Sequence, residues 1–286
     1  MSSFRLPKGD VMSLIYTAIS AVLLLWHGAW RTTLGDLSAL ATDWSWVLGI
    51  IFLVLTVRAL LFPVFVRQVR SQRAMQRLQP QLKALQAKHK GNPQALQKDL
   101  TELYRTEQVN PLSGILPMLV QIPIFIGLLH VLRHLKPTIT DHASRTLYGW
   151  TAAQFDDAAH AKLFGAPIAA TFHSGAAQLE ALGAHGLTVK IVAAVLIAAM
   201  IVTTYLTSRM SMLRSGWSED PQQRMVQRLM LYGIPASLLI SGTVFPIGVV
   251  LYWTTQNLFA LGQQAWILRR YPLPDATGAQ PASITP

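Results

Sequence analysis

One arginine stands where its chemistry fits least. Arg58 lies in the stretch VLTVRALLFP at 54–63, inside an apolar run from Trp44 to Val66. The first basic residue beyond the run is Arg67, roughly 13 Å away at about 1.5 Å of helical rise per residue. That is too deep for the side chain simply to reach the surface. A guanidinium at a bilayer centre costs about 2.5–3.5 kcal/mol on insertion scales, so something must offset it. A carboxylate on a neighbouring span is the usual remedy, yet none of the five long apolar runs contains Asp or Glu. They carry neutral polar groups instead: Thr56, Gln121, Thr203, Thr204, Tyr205, Thr254, Thr255, Gln256 and Asn257. Hydrogen bonds and water can solvate a permanently charged guanidinium, whose planar fork suits carboxylates and carbonyls. Two readings follow. Either backbone carbonyls and a bend at Pro63 satisfy Arg58, or it lines a wet, positively charged cavity that receives a transient negative or polar group.

Other chemistry is thin. His130 and His134 stand four residues apart, a spacing that can hold a metal on a helix, but no HExxH glutamate or third ligand accompanies them and the surface reading is preferred. The chain has no cysteine, which excludes disulfides, thiolate metal sites and cysteine catalysis. No GxxxxGK[ST] loop occurs, which argues against an ATPase, and spans without carboxylates argue against a proton relay. No cofactor or metal is expected, and no enzymatic activity.

The elements that would position Arg58 are those of a membrane protein. Hydrophobic residues make up 51% of the 286, charged residues 13%, and the mean hydropathy is +0.35; soluble chains carry about 25% charged residues. The apolar runs predict an all-α polytopic bundle. Residues 1–43 hold an apolar stretch at 12–30 that suits an interfacial helix as well as a span; the interfacial helix is favoured. The first span is 44–66, oriented outside to inside. From Arg67 to Gln108 there are nine Lys/Arg against three Asp/Glu, and this 67–108 segment is read as a cytoplasmic helical hairpin by the bias of basic residues toward the inside. Met75, Leu78, Leu82 and Leu85, then Leu96, Leu100 and Leu103 beyond the Gly91-Asn92-Pro93 turn, give it a narrow apolar seam. It is either a solvated spacer or a docking arm for a partner or anionic headgroups. The second span is 111–135, with Pro111, Pro117 and Pro123. An extracytoplasmic loop of short surface helices follows at 136–186, balanced at four basic and four acidic residues from Arg133 to Gly186. The third span is 187–208, a basic cytoplasmic loop runs 209–228, and the fourth and fifth spans are 229–243 and 247–268. The tail, 269–286, is placed in the cytoplasm. No cleaved secretory signal or internal repeat is recognisable.

VRALLFP at 57–63, LQPQLKALQ at 78–86, EQVNPLSGILPMLVQIPIFIGL at 107–128, DPQQRM at 220–225 and FPIGVVLYWTTQNLFALGQQ at 245–264 resemble the YidC group of membrane protein insertases. The phrasing KALQAKHK and FIGLLHVLRHL is similar to actinobacterial members. The resemblance implies five core spans, an outer amphipathic helix, a cytoplasmic hairpin and an inner-leaflet groove open to cytoplasm and lipid. Arg58 falls on the groove arginine, with Thr56, Gln121, Tyr252, Trp253, Gln256 and Asn257 as further groove residues. Pro123, Ile124 and Val249 fall on the apolar faces of the second and fifth spans along which a substrate slides. Arg73, Arg77, Lys83 and Lys88 of the hairpin are the expected partner-docking residues. Two departures touch the polar lining: Val54 stands where some relatives carry a hydroxyl, and Trp253 where a second tyrosine is frequent. A large extra outer domain and a long basic tail are missing from the pattern, so ribosome contact is expected of the hairpin.

The implied activity is integration of nascent membrane proteins into the bacterial plasma membrane without nucleotide hydrolysis, alone or beside the Sec channel. Expected partners are the nascent substrates and lipids, with the ribosome and the Sec translocon as candidates and no nucleic-acid target of its own. The rival reading is a small-molecule or lipid transporter, or a scramblase, that binds an anionic group at Arg58.

Overall fold

The computed structural model describes residues 11–35, 37–109, 116–135, 139–217 and 221–270. The first residues of the expected second span, including Pro111, the centre of the 209–228 loop and the tail from 271 lie outside them, as do the side chains of Pro117 and Arg73. Eleven helices and one two-stranded hairpin make up the described chain: α1 Val11–Leu34, α2 Trp44–Lys88, α3 Pro93–Thr106, α4 Leu116–His134, α5 His142–Arg145, α6 Ala152–His160, β1 Lys162–Leu163, β2 Ala166–Pro167, α7 Ala176–Ala181, α8 Gly186–Ser215, α9 Pro221–Arg228, α10 Ile234–Val244 and α11 Ile247–Arg270. A π-helical segment, Leu229–Gly233, joins α9 to α10. The fold is that of a helical membrane protein. Met12–Leu34, Trp44–Val69 and Gly186–Leu213 are each long and apolar enough to cross a bilayer.

The first span and the first arm of the hairpin are a single helix. α2 runs 45 residues through Pro63 and Pro80, so the boundary drawn at 66/67 falls inside one continuous helix. A helical proline removes only one donor, and around Pro63 the residues Ala59, Leu60, Phe62 and Pro63 itself are exposed, so the disturbed side of the ladder carries no core packing. At the hairpin tip, Asn92 caps α3 by accepting from Ala95 N, Gly91 takes a left-handed φ of 91°, and His89 Nε2 meets Asp99 Oδ2 at 2.7 Å. α3 buries no side chain, so this arm is mostly solvated, as its polar sequence dictates.

α1 lies across two helices near one end of the bundle. On α2 its partners fall between Trp46 and Thr56: His27 stacks on Trp46 at 3.7 Å and Trp26 packs on Phe52. On α4 they fall around Gly127 and His130, where Tyr16 stacks at 4.2 Å. The close approach depends on glycine, since a Cβ on Gly127 would stand 2.4 Å from Ile19 Cδ1.

Residues 139–185 do not form the surface loop that their small and polar residues suggest. Trp150, Phe155, Ala158, Leu163, Ala166, Ile168 and Ala170 are buried in the same core as Leu23, Trp46, Ile50, Leu128, Leu132 and Val249. The β-hairpin turns through Phe164 and Gly165, both at positive φ (49° and 78°), which is the two-residue turn that suits strand twist. The backbone of the hairpin and of the residues just after it then clamps two helices. Asp43 N donates to Lys162 O at 2.8 Å and Lys162 N to Asp43 Oδ2 at 2.6 Å, tying the hairpin to the start of α2. Ile247 N and Gly248 N donate to the carbonyls of Ala170 and Ile168, both at 2.8 Å, which fixes the start of α11.

Candidate functional site

With the start of α2 fixed to the hairpin and that of α11 to the residues just after it, the two helices meet along one face. Tyr252, Gln256, Phe259 and Gln263 are spaced four, three and four apart on α11, so their side chains form one stripe. Arg58 faces it. Its Nε donates to Gln256 Oε1 at 3.1 Å, its Nη1 to Gln263 Oε1 at 3.5 Å, and its guanidinium lies 5.4 Å from the Phe259 ring centroid. Arg58 is half-buried. The partners that hold it are therefore two neutral carbonyl oxygens and a π face, and among the described residues no carboxylate forms an ion pair with it. The charge is positioned but not neutralised.

One turn before Gln256, the buried Tyr252 accepts a hydrogen bond at its hydroxyl from Gln121 Nε2, 2.9 Å away. This pair joins α4 to α11 beside the Arg58 cluster. Trp253 points to the adjoining side, stacked on Phe125 at 5.0 Å and edge-on to Phe245 at 5.0 Å, an aromatic wedge between the same two helices.

Other residues expected at the groove go elsewhere. Thr56 accepts from Trp26 Nε1 at 2.8 Å and donates to the Phe52 carbonyl, so it serves the contact with α1. Asn257 donates to Thr204 Oγ1 at 2.9 Å and bonds α11 to α8. Val54 is fully buried, so a hydroxyl there would meet core rather than water. Val249 is fully buried too and sits at the hydrogen-bonded start of α11. Pro123 and Ile124 are only partly exposed, whereas Ile122 and Ile126 on α4 and Leu258 on α11 are exposed apolar residues. Gln263 and Phe259 were absent from the sequence reading, although their spacing from Gln256 was a sufficient signal. Arg77 and Lys83 are surface residues of α2's long arm, and Lys88 lies 3.7 Å from Asp99 at the tip.

The histidine pair is engaged with protein. His130 Nε2 lies 2.9 Å from the Tyr148 hydroxyl and His134 Nε2 donates to the Ser144 carbonyl at 2.8 Å. No group of three or more potential metal ligands occurs among the described residues.

Residues 37–274 match the 60Kd inner membrane protein family. A protein of Streptomyces avermitilis named membrane protein insertase YidC is 34% identical over 271 residues, which cover 93% of this chain and 60% of that protein. Proteins of the same name from Mycolicibacterium paratuberculosis and Mycobacterium tuberculosis are 35% and 34% identical, over 90% of this chain and 75% and 72% of theirs.

Proposed function

This chain belongs to the 60Kd inner membrane protein family of YidC insertases, and from that premise we propose that it integrates membrane proteins into the bacterial plasma membrane through a groove centred on Arg58. The observation that carries the mechanism is the company Arg58 keeps: Gln256 and Gln263 orient the guanidinium without cancelling its charge. A short polar or acidic tail of a substrate exchanges for the glutamine carbonyls. Arg58 and water lower the desolvation cost of the tail while it is between leaflets. The substrate's apolar segment runs along the exposed residues of α4 and α11 into lipid. Burying about 20 apolar residues drives the process, and the membrane potential adds about 2.3 kcal/mol per charge per 100 mV for acidic tails moving outward. No nucleotide is consumed. The five-span core, the groove's opening to the cytoplasm and the hairpin as the place of ribosome or Sec contact belong to the same proposal.

A single charge suits a chaperone that must let go. A carboxylate held by one guanidinium with neutral neighbours leaves more readily than one held by a cationic cluster. The test is insertion into liposomes of a single-span substrate with an acidic N-terminal tail, read by protease protection of the tail. Wild type is expected to insert it, Arg58→Lys to retain part of the activity, and Arg58→Ala to lose it mainly for charged tails. Undiminished insertion of every substrate by Arg58→Ala overturns the groove-charge mechanism. Lipid flip in the same liposomes without insertion overturns the insertase reading in favour of a scramblase.

A further inference from the structure

Where α7 and the turn after it meet the first residues of α8, an open cleft of about 740 Å³ is lined by Phe172, Ser174, Leu179, Glu180, His185 and Lys190, among others. Glu180 and Lys190 carry opposite charges in one cleft, yet neither forms an ion pair or a side-chain hydrogen bond with another described residue. Lys162 lies close by, its Nζ donating to the Gly183 carbonyl at 2.8 Å. Two unspent opposite charges held apart in one concavity are complementary to a ligand that carries both signs itself.

The position of the cleft identifies the kind of ligand. It opens at the end of a helix whose residues Gly186–Leu213 are long and apolar enough to cross a bilayer, so it sits at the level of lipid headgroups. From its edge, Leu187, Ile191 and Val195 descend α8 at four-residue spacing, all exposed, as an apolar track leading away from the charges. We propose that this cleft binds the headgroup of a zwitterionic aminophospholipid, with the phosphate diester beside Lys190, the primary ammonium beside Glu180 and an acyl chain along Leu187, Ile191 and Val195. An anionic lipid would set its extra negative charge against Glu180. A choline headgroup has no N–H to donate to that carboxylate. The inference takes from the proposed function only that α8 crosses a membrane, and it is independent of Arg58.

The full-length protein in detergent, incubated with dioleoyl phosphatidylethanolamine, phosphatidylglycerol or phosphatidylcholine in parallel, would be examined by native mass spectrometry for retained lipid. One phosphatidylethanolamine is expected to persist at collision energies that strip the other two. Glu180→Gln should lower that preference by about tenfold, the worth of one charge-assisted hydrogen bond, while Lys190→Gln weakens retention of all three lipids. Both side chains are exposed, and intact melting temperatures would show that the variants fold. Soluble phosphoethanolamine in millimolar excess should leave the lipid in place, because it lacks the acyl chain. Equal retention of the three lipids, a preference unchanged in Glu180→Gln, or displacement by phosphoethanolamine overturns the assignment. Insertion assayed on the same variants is expected to be unchanged, which separates this site from the Arg58 mechanism.

Discussion

Gln256 and Gln263 make a sharper test of the mechanism than removal of the arginine, because they decide whether its charge is available. Gln256→Glu would place a carboxylate where a carbonyl oxygen now lies 3.1 Å from Arg58 Nε. The resulting half-buried ion pair keeps the geometry and neutralises the charge, so insertion of acidic-tailed substrates should fall by about tenfold or more, the scale of a lost charge-assisted contact, with the fold intact. Full activity in liposomes would mean that the free charge is not what the substrate uses. A second residue-scale prediction concerns the hairpin tip. The hydrogen bond from His89 is the main cause that holds the Asp99 carboxyl below its ordinary range. A depressed folded value means that the contact stabilises the tip above the unfolded carboxylate's pKa, near 4, and is lost as pH falls through the folded value. Protection of the amides at residues 89–99, taken relative to their intrinsic exchange rates at each pH, should therefore fall in acid, and Asp99→Asn should remove that dependence; an unchanged acid response in the variant would place its origin elsewhere. At this scale the sequence was informative where a residue type was anomalous. Arg58 stood out because its cost in lipid is large. Thr56 and Asn257 could not be given their bonds to Trp26 and Thr204 from the sequence, because a small polar side chain in a span reads alike whether it faces a cavity, a tryptophan on α1 or a threonine on α8.

Glycines set how closely the helices pack, and at two of them a methyl group would collide with a side chain of a neighbouring helix. A Cβ at Gly127 would lie 2.4 Å from Ile19 Cδ1, and one at Gly242 would lie 2.5 Å from Ile197 Cγ1. Alanine gains about 1 kcal/mol of helix propensity over glycine, but overpacking costs about 1–3 kcal/mol. Gly127→Ala should loosen α1 from α4, and Gly242→Ala should loosen α10 from α8, each lowering the melting temperature in detergent. Gly262 on α11 is the control: nothing lies within 4 Å of its built Cβ, so Gly262→Ala should raise the melting temperature or leave it unchanged. Destabilisation at Gly262 equal to that at Gly127 would refute steric closeness as the cause. The helices themselves were legible from length and apolar runs, but their boundaries were less so. α2 passes through Pro63 and Pro80 because a proline on an exposed side forfeits one bond of a long ladder. A sequence reading weighs the breaker without seeing which side it occupies.

Across the whole molecule, Asp157 joins parts that are far apart in sequence. Its Oδ2 accepts from Arg31 at 3.0 Å and from the buried Trp46 indole at 3.0 Å, and lies 3.6 Å from His27 Nε2. Thus α6 is fastened to both α1 and the start of α2, while the β-hairpin holds α2 and the residues just after it hold α11. No local pattern could reveal this. The alanine-rich α6 has a short apolar face, and its burial depends on partners more than 100 positions away, 126 for Arg31 and 111 for Trp46. That is why residues 139–185 read as a surface loop and fold as part of the core. Asp157→Ala removes the acceptor and leaves the Trp46 N–H buried without a partner, a loss of about 1–3 kcal/mol, which amounts to several degrees in melting temperature for a domain of this size. Hydrogen exchange should rise in residues 152–170 and in α1. Arg58 lies about three turns further along α2 than Trp46 and keeps its bonds to α11, whose start is held by Ala170 and Ile168 rather than by Asp157. Insertion should then persist in Asp157→Ala at temperatures below the lowered melting point. If instead it collapses as in Arg58→Ala while the helices stay folded, residues 139–185 set the spacing of α2 and α11 at the groove, and their fastening to α1 is part of the insertion machinery.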